Sequence, residues 1–139
     1  MGLPKTPLLT TDAIILDENN DIVLIKRKNN PYKDHWAIPG GFVEIGESVE
    51  ESCIREAKEE TNLDVEIISL IGVYSRPNRD PRGHTVTVAF LTKPVSGELR
   101  ADTDAKEVKK INISKSNNID LAFDHNEIMA DAINLINIF

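Results

Sequence analysis

A single cysteine, Cys53, occurs among 139 residues, so neither an internal disulfide nor a cysteine-based zinc cluster can form. Aromatic residues are scarce at 5%: Tyr32, Trp36, Phe42, Tyr74, Phe90, Phe123 and Phe139 are all there are. Positive charge is in deficit, with 16 Lys and Arg against 23 Asp and Glu and a formal net charge of -7. Broad affinity for a nucleic-acid backbone comes from Lys and Arg displacing condensed counterions, so this balance argues against it. No stretch approaches the roughly 20 apolar residues of a membrane span. The opening MGLPKTPLLT lacks the basic segment and apolar run of a secretion signal. These absences lead us to expect a cytoplasmic protein that engages neither nucleic acid nor membrane.

What is present suits a folded chain. Hydrophobic residues make up 40% and charged residues 28%, and a length of 139 residues fits one domain spanning 1–139. Two apolar runs, 8–16 and 22–26, flank a turn-forming DENND segment and predict a β-hairpin. Loop-like residues 29–34 lead through 35–39 to Gly40-Gly41, where backbone conformations that glycine reaches easily are expected. Residues 47–61 carry the strongest helix pattern, with no Pro or Gly. Val49, Cys53, Ile54 and Ala57 would form its apolar stripe, with Glu56 and Glu60 along the border. Strands are predicted over 63–74, 85–92 and 107–113, with a charged loop at 75–84 and a turn at 93–97. A closing helix over 124–138 would start at an Asp124 cap with Glu127 three residues on, and bury Ile128, Ala132, Leu135 and Ile136. The fold class is mixed α/β, with no internal repeat or linker.

The segment Arg55-Glu56-Ala57-Lys58-Glu59-Glu60 places three carboxylates at i, i+3 and i+4 of one helical surface. Such a cluster is ordinarily a solvated acidic face. Here it follows directly on a Gly-Gly turn whose carbonyls could also face a cation, and it borders the packed side of the helix. Oxygen-only ligands suit magnesium or manganese.

The run GFVEIGESVEESCIREAKEETNL, residues 41–63, resembles the Nudix box: Gly41, five residues, Glu47, seven residues, Arg55-Glu56, an aliphatic position, one residue, Glu59-Glu60, one residue, a glycine slot and aliphatic Leu63. The one departure is Asn62 in the glycine slot, and asparagine is the non-glycine residue that best tolerates the left-handed conformation wanted at a helix end. The resemblance implies an α/β/α sandwich with a mixed β-sheet flanked by helices. It further implies a Mg2+-dependent hydrolase, with Mn2+ able to substitute, in which water attacks a P–O–P linkage. Glu56 and Glu60 would be the principal metal ligands, Glu59 would assist and the Gly40 carbonyl would contribute. Arg55 and Glu47 would pair to fix loop against helix, and Arg55, Glu59 and Glu60 would serve the reaction directly.

The box leaves open what is attached to the diphosphate. The stretch YSRPNRDPRGH, residues 74–84, resembles the short ADP-ribose pyrophosphatases of the family, with Pro77 at the position of their proline. IPGGFVEIGE, Asp104-Ala105-Lys106-Glu107 and LAFDHNEI look like the same subgroup, which implies a nucleoside diphosphate substrate, ADP-ribose first among them, and frequent homodimerisation. Arg79 and Arg82 suit bidentate phosphate contacts, or else pair with Asp80 and other carboxylates. His84 reads as a packed histidine ahead of a ligand. Two roles fit Glu107, a fourth carboxylate or general base near the metal and an exposed charge at a strand start; the aromatic that often follows this glutamate is replaced by Val108-Lys109-Lys110-Ile111. Trp36, Phe42 and Tyr74 border the site-forming segments, each equally suited to stack on a base or to pack in the core; Phe42 is counted with Pro77, Arg79 and Arg82 among the substrate-binding candidates.

Overall fold

The computed structural model describes residues 2–101 and 105–137. Strands β1 (Leu8–Ile15), β4 (Gly40–Phe42), β5 (Asp64–Tyr74) and β6 (Thr85–Ser96) form one sheet in the order β4-β1-β6-β5. β1 and β6 run parallel while the other pairs are antiparallel, so this sheet is mixed. Strands β2 (Asp21–Arg27), β3 (Trp36–Ala37) and β7 (Ala105–Asn112) form a second, antiparallel sheet in the order β3-β2-β7. Helices α1 (Val49–Thr61) and α2 (His125–Ile136) complete the α/β architecture, with a 3-10 turn at Ile113–Asn118 leading toward α2.

Alternation along β1 explains how the layers hold together. Ala13 and Ile15 face one way and join Cys53 and Ala57 of α1, with Leu63, Val65 and Phe90, in one buried cluster. Ile14 faces the other way and packs with Leu24, Leu91 and the α2 residues Ile128, Met129 and Ala132. Each fully buried Ile or Leu contributes roughly 1.5–3 kcal/mol of burial free energy, so apolar packing on both faces fixes the register of β1.

Several expectations are corrected. The predicted hairpin does not form a ladder: β1 and β2 lie in different sheets and share only the isolated bridge Leu16–Ile22, because β1 finds a longer partner in β6. The helix begins at Val49, not at residue 47, since Ser48 and Glu51 build a reciprocal capping box. Within α1, Ile54 is 40% exposed, and Ser52, Glu60 and Thr61 are buried instead. The buried face is thus rotated toward the carboxylates. The KPVSG turn is absent because β6 continues through Ser96 and turns at Gly97. Gly40 and Gly41 do not need a left-handed backbone; they lie in β4. Asp124 sits at the start of α2 without a side-chain cap bond, because its carboxylate is taken by Arg79. Asn62 does adopt the left-handed conformation, φ 65°, at the end of α1, and its amide donates to the Glu98 carbonyl. Asp104 and the expected last residue of the closing helix, 138, fall outside the described residues.

Candidate active site

Placing the α1 carboxylates requires a fixed loop before the helix. With Ser48 as cap, Glu47 lies just outside α1, where it accepts a hydrogen bond from the Glu44 backbone N–H at 2.8 Å. Its two carboxylate oxygens take Arg55 Nε at 3.0 Å and Nη2 at 2.6 Å, a bidentate pair. The hydrogen bonds from Arg55 hold the Glu47 carboxyl down at about 2, and those same contacts raise the Arg55 pKa further above its ordinary value. Arg55 also donates to the Phe42 carbonyl at 3.0 Å, to Glu56 at 2.8 Å and to Glu59 at 3.1 Å. One guanidinium therefore ties β4, the following loop and two of the three clustered carboxylates together.

Glu60, 5% exposed, accepts from the Gly40 N–H of β4 at 2.9 Å. The two glycines are there for space. A Cβ on Gly41 would lie 2.4–2.6 Å from the Glu56 carboxylate, and one on Gly40 would lie 2.1 Å from Asp12 Oδ1 and 2.2 Å from the Thr11 carbonyl oxygen. Main chain, Glu56 and Glu60 are consequently in close approach at one point of the fold.

These groups open onto a cleft of about 510 Å³. Gly40, Glu56, Glu59 and Glu60 line it together with Phe42, Arg55, Arg79 and Arg82, which brings most of the predicted site residues to one place. Pro77 and Glu107 are not among its lining residues. Pro77 is exposed on its loop, and Glu107 pairs with Lys26 at 3.2 Å on the β2–β7 ladder. The two arginines differ. Arg79, its side chain 5% exposed, spends its fork on Asp124 at 2.6 and 2.8 Å and on Thr85 at 2.9 Å, so it braces loop 75–84 to the start of α2. Burial lowers its pKa, but the Asp124 hydrogen bond and charge outweigh that and raise it. Arg82 is 44% exposed, pairs with Asp80 at 2.8 Å and lies over the rings of Phe42 at 5.3 Å and Phe123 at 5.6 Å. Burial raises the Asp80 pKa, yet its hydrogen bonds from Arg82 lower it overall.

Of the remaining aromatics, Tyr74 is buried, donates to Asp131 at 2.6 Å and belongs to the core. Trp36 lies under Lys109 at 4.1 Å and away from the cleft lining. His84 is exposed, contrary to its expected packing, and its Nε2 lies 3.0 Å from the Ser75 carbonyl. Asp12, Arg27, Phe123 and His125 line the cleft without having been singled out. Asp12 could have been found as a lone carboxylate inside the apolar strand LLTTDAII, where burial of a charge is costly. His125 and Phe123 sit in LAFDHNEI, where local pattern marks only Asp124, as a helix cap.

The donor chemistry fits a divalent cation. Three carboxylates and a backbone carbonyl are all hard oxygen ligands. Among the described residues no three His, Cys, Asp or Glu side chains are already gathered around a common point. Glu56 and Glu59 turn toward Arg55, and Glu60 turns toward Gly40.

Residues 6–133 match the model of the NUDIX domain. The chain belongs to the Nudix family. It is 52% identical over 126 residues to the ADP-ribose pyrophosphatase of Methanocaldococcus jannaschii, covering 90% of this chain and 72% of that protein. Among solved structures, a MutT/nudix family protein from Enterococcus faecalis superposes with a TM-score of 0.86 at 34% identity, over 99% of this chain but only 64% of that one. The NUDIX domain of Shewanella oneidensis NrtR, solved in complex with ADP ribose, superposes with a TM-score of 0.85 at 27% identity, over 95% of this chain and 90% of that one. The Nudix box of residues 41–63 is thus embedded in a Nudix fold. No helix among the described residues is long and apolar enough to cross a membrane.

Proposed function

We propose that this Nudix hydrolase cleaves the diphosphate of ADP-ribose, water entering at phosphorus to give AMP and ribose 5-phosphate. The observation that carries the reading is the meeting, in one cleft, of the Glu56–Glu59–Glu60 surface with an arginine-bearing loop, in a chain 52% identical to an ADP-ribose pyrophosphatase. Glu56, Glu60, Glu59 and the Gly40 carbonyl would hold Mg2+, or Mn2+ in its place. Bound there, the cation neutralises the diphosphate and lowers the pKa of an attacking water. Arg55 keeps the carboxylates in place through Glu47 and Phe42. Glu59, the most exposed of the three at 45% for its side chain, is positioned to orient water. Glu107, on β7 and outside the cleft lining, is left with its ion pair to Lys26. Arg82 and Phe42 offer charge and a flat face to the substrate, and Arg79 shapes the wall on which they act. The partner is a small-molecule nucleotide, and a cytoplasmic setting fits it.

A second reading, a domain that binds ADP-ribose without cleaving it, draws on the likeness to the NrtR domain. The complete carboxylate set of the box favours hydrolysis. Product release from ADP-ribose, NADH, dinucleotide polyphosphates and oxidised dNTPs, each with Mg2+ and with EDTA, tests the proposal. ADP-ribose should be turned over best, and only with metal. Preference for a triphosphate, or no turnover of any, would overturn it.

A further inference from the structure

Asp12 lies in the middle of β1, 6% exposed, and its Oδ2 is a fully buried oxygen with no hydrogen-bond partner. A buried carboxylate oxygen left unpaired is costly, and a fold retains one where something else satisfies it. Asp12 and His125 both line the cleft, and His125 Nε2 lies 3.3 Å from that oxygen. His125 is held firmly. Its Nδ1 accepts the Ile38 backbone N–H at 3.0 Å, which places the ring proton of the neutral imidazole on Nε2, the nitrogen turned toward Asp12. Asp124, the residue before it, is clamped by Arg79, and Phe123 is held at φ 52°, a left-handed conformation costly for a bulky side chain. Strain and clamping together fix the imidazole in advance of any ligand.

The wall therefore presents an acceptor and a donor side by side. A hydroxyl is the group that matches both, because it donates one hydrogen bond and accepts another. A phosphate oxygen would be repelled by Asp12, and an amine could use only the carboxylate. We propose that Asp12 and His125 form a hydroxyl-reading subsite that recognises a ribose of the nucleoside diphosphate substrate, the hydroxyl donating to the Asp12 carboxylate and accepting from His125 Nε2–H. This rests on the proposed substrate class. It makes Asp12 a specificity residue, apart from the carboxylates of α1.

The test is equilibrium binding by calorimetry with Mg2+, using the full chain, its Asp12→Asn and Asp12→Ala variants, and the non-hydrolysable α,β-methylene forms of three ligands: ADP-ribose, ADP-ribose with a 2′,3′-dideoxy adenosine, and ADP methyl ester, which lacks the distal ribose. In the wild type, one of the two analogues should bind about 10- to 100-fold more weakly than ADP-ribose, identifying the ribose that is read. Asp12→Ala should weaken ADP-ribose by a similar factor and erase that discrimination. Asp12→Asn, which keeps the shape of the side chain, should fall between and melt close to wild type. A purely structural Asp12 would instead lower the melting temperature and leave ligand ranking intact, which overturns the subsite. A wild type that binds ADP-ribose and both analogues equally also overturns the subsite, with the substrate class left standing. A wild type that binds none of the three removes the substrate class and the subsite with it.

Discussion

Adjacent glycines in β4 offer a separation of folding from chemistry by a single methyl group. Neither needs a left-handed backbone, so alanine is conformationally acceptable at both, and only the space around the new Cβ decides the outcome. At Gly41 the obstacle is the Glu56 carboxylate at 2.4–2.6 Å, whereas an ordinary contact begins near 3.4 Å. The Glu56 carboxylate must therefore retreat by about 1 Å, and a flexible side chain can do this by rotating away from Arg55. Losing that partly buried ion pair, while Arg55 keeps Glu47, Glu59 and Phe42, costs on the order of 1 kcal/mol, a fall in melting temperature of about 3–5 °C. Misplacing a reacting or ligating group by that distance costs about 100-fold in rate. At Gly40 the Cβ meets the Thr11 carbonyl oxygen at 2.2 Å, part of the β1–β4 pairing, and backbone cannot rotate out of the way. Gly40→Ala should cost at least about 3 kcal/mol and lower the melting temperature by 10 °C or more. Differential scanning calorimetry with steady-state AMP release reads both effects. Wild-type kcat/KM in Gly41→Ala, or an unchanged melting temperature in Gly40→Ala, would refute the steric argument.

Arg79→Ala leaves Asp124 partly buried without its cation and loosens loop 75–84, so a loss of about 3–5 kcal/mol is expected by denaturant titration. An effect confined to KM, with stability unchanged, would show that Arg79 contacts substrate instead of bracing the wall. Glu47 gives a pH signature. Its carboxyl is held near 2 against an ordinary 4.5, so its contribution is present above pH 4.5 and is lost as pH falls toward 2. The gap in melting temperature between wild type and Glu47→Gln should narrow across that window, and a gap that stays constant would contradict the pairing with Arg55.

The parts of the molecule visible in the sequence are those built from near neighbours. The Arg55–Glu47 pair, the carboxylates of α1 and the left-handed Asn62 all arise within one turn-and-helix segment, where spacing fixes geometry. The division of the strands between two sheets was not visible, since β1 chooses β6 across most of the chain over the neighbouring β2. Arg79 was legible as a cation suited to phosphate, but the carboxylate that claims it, Asp124, comes from α2, and local pattern assigned that residue to a cap. Asp12 and His125 were illegible for the same reason: each is ordinary in its own element, and only the packing of β1 against the start of α2 makes them a pair. The Gly40-Gly41 step was found by composition and explained wrongly, because the constraint is the approach of Glu56 and Asp12 in three dimensions.

The central claim is that the acidic surface of α1 exists to hold a divalent cation against a diphosphate. Anomalous diffraction from crystals soaked in Mn2+ with a non-hydrolysable ADP-ribose analogue tests it most directly. A metal peak is expected within coordination distance of Glu56 and Glu60 oxygens, beside the analogue's diphosphate, and lost in Glu60→Gln. Diphosphate density in the cleft with no metal beside either glutamate would contradict it.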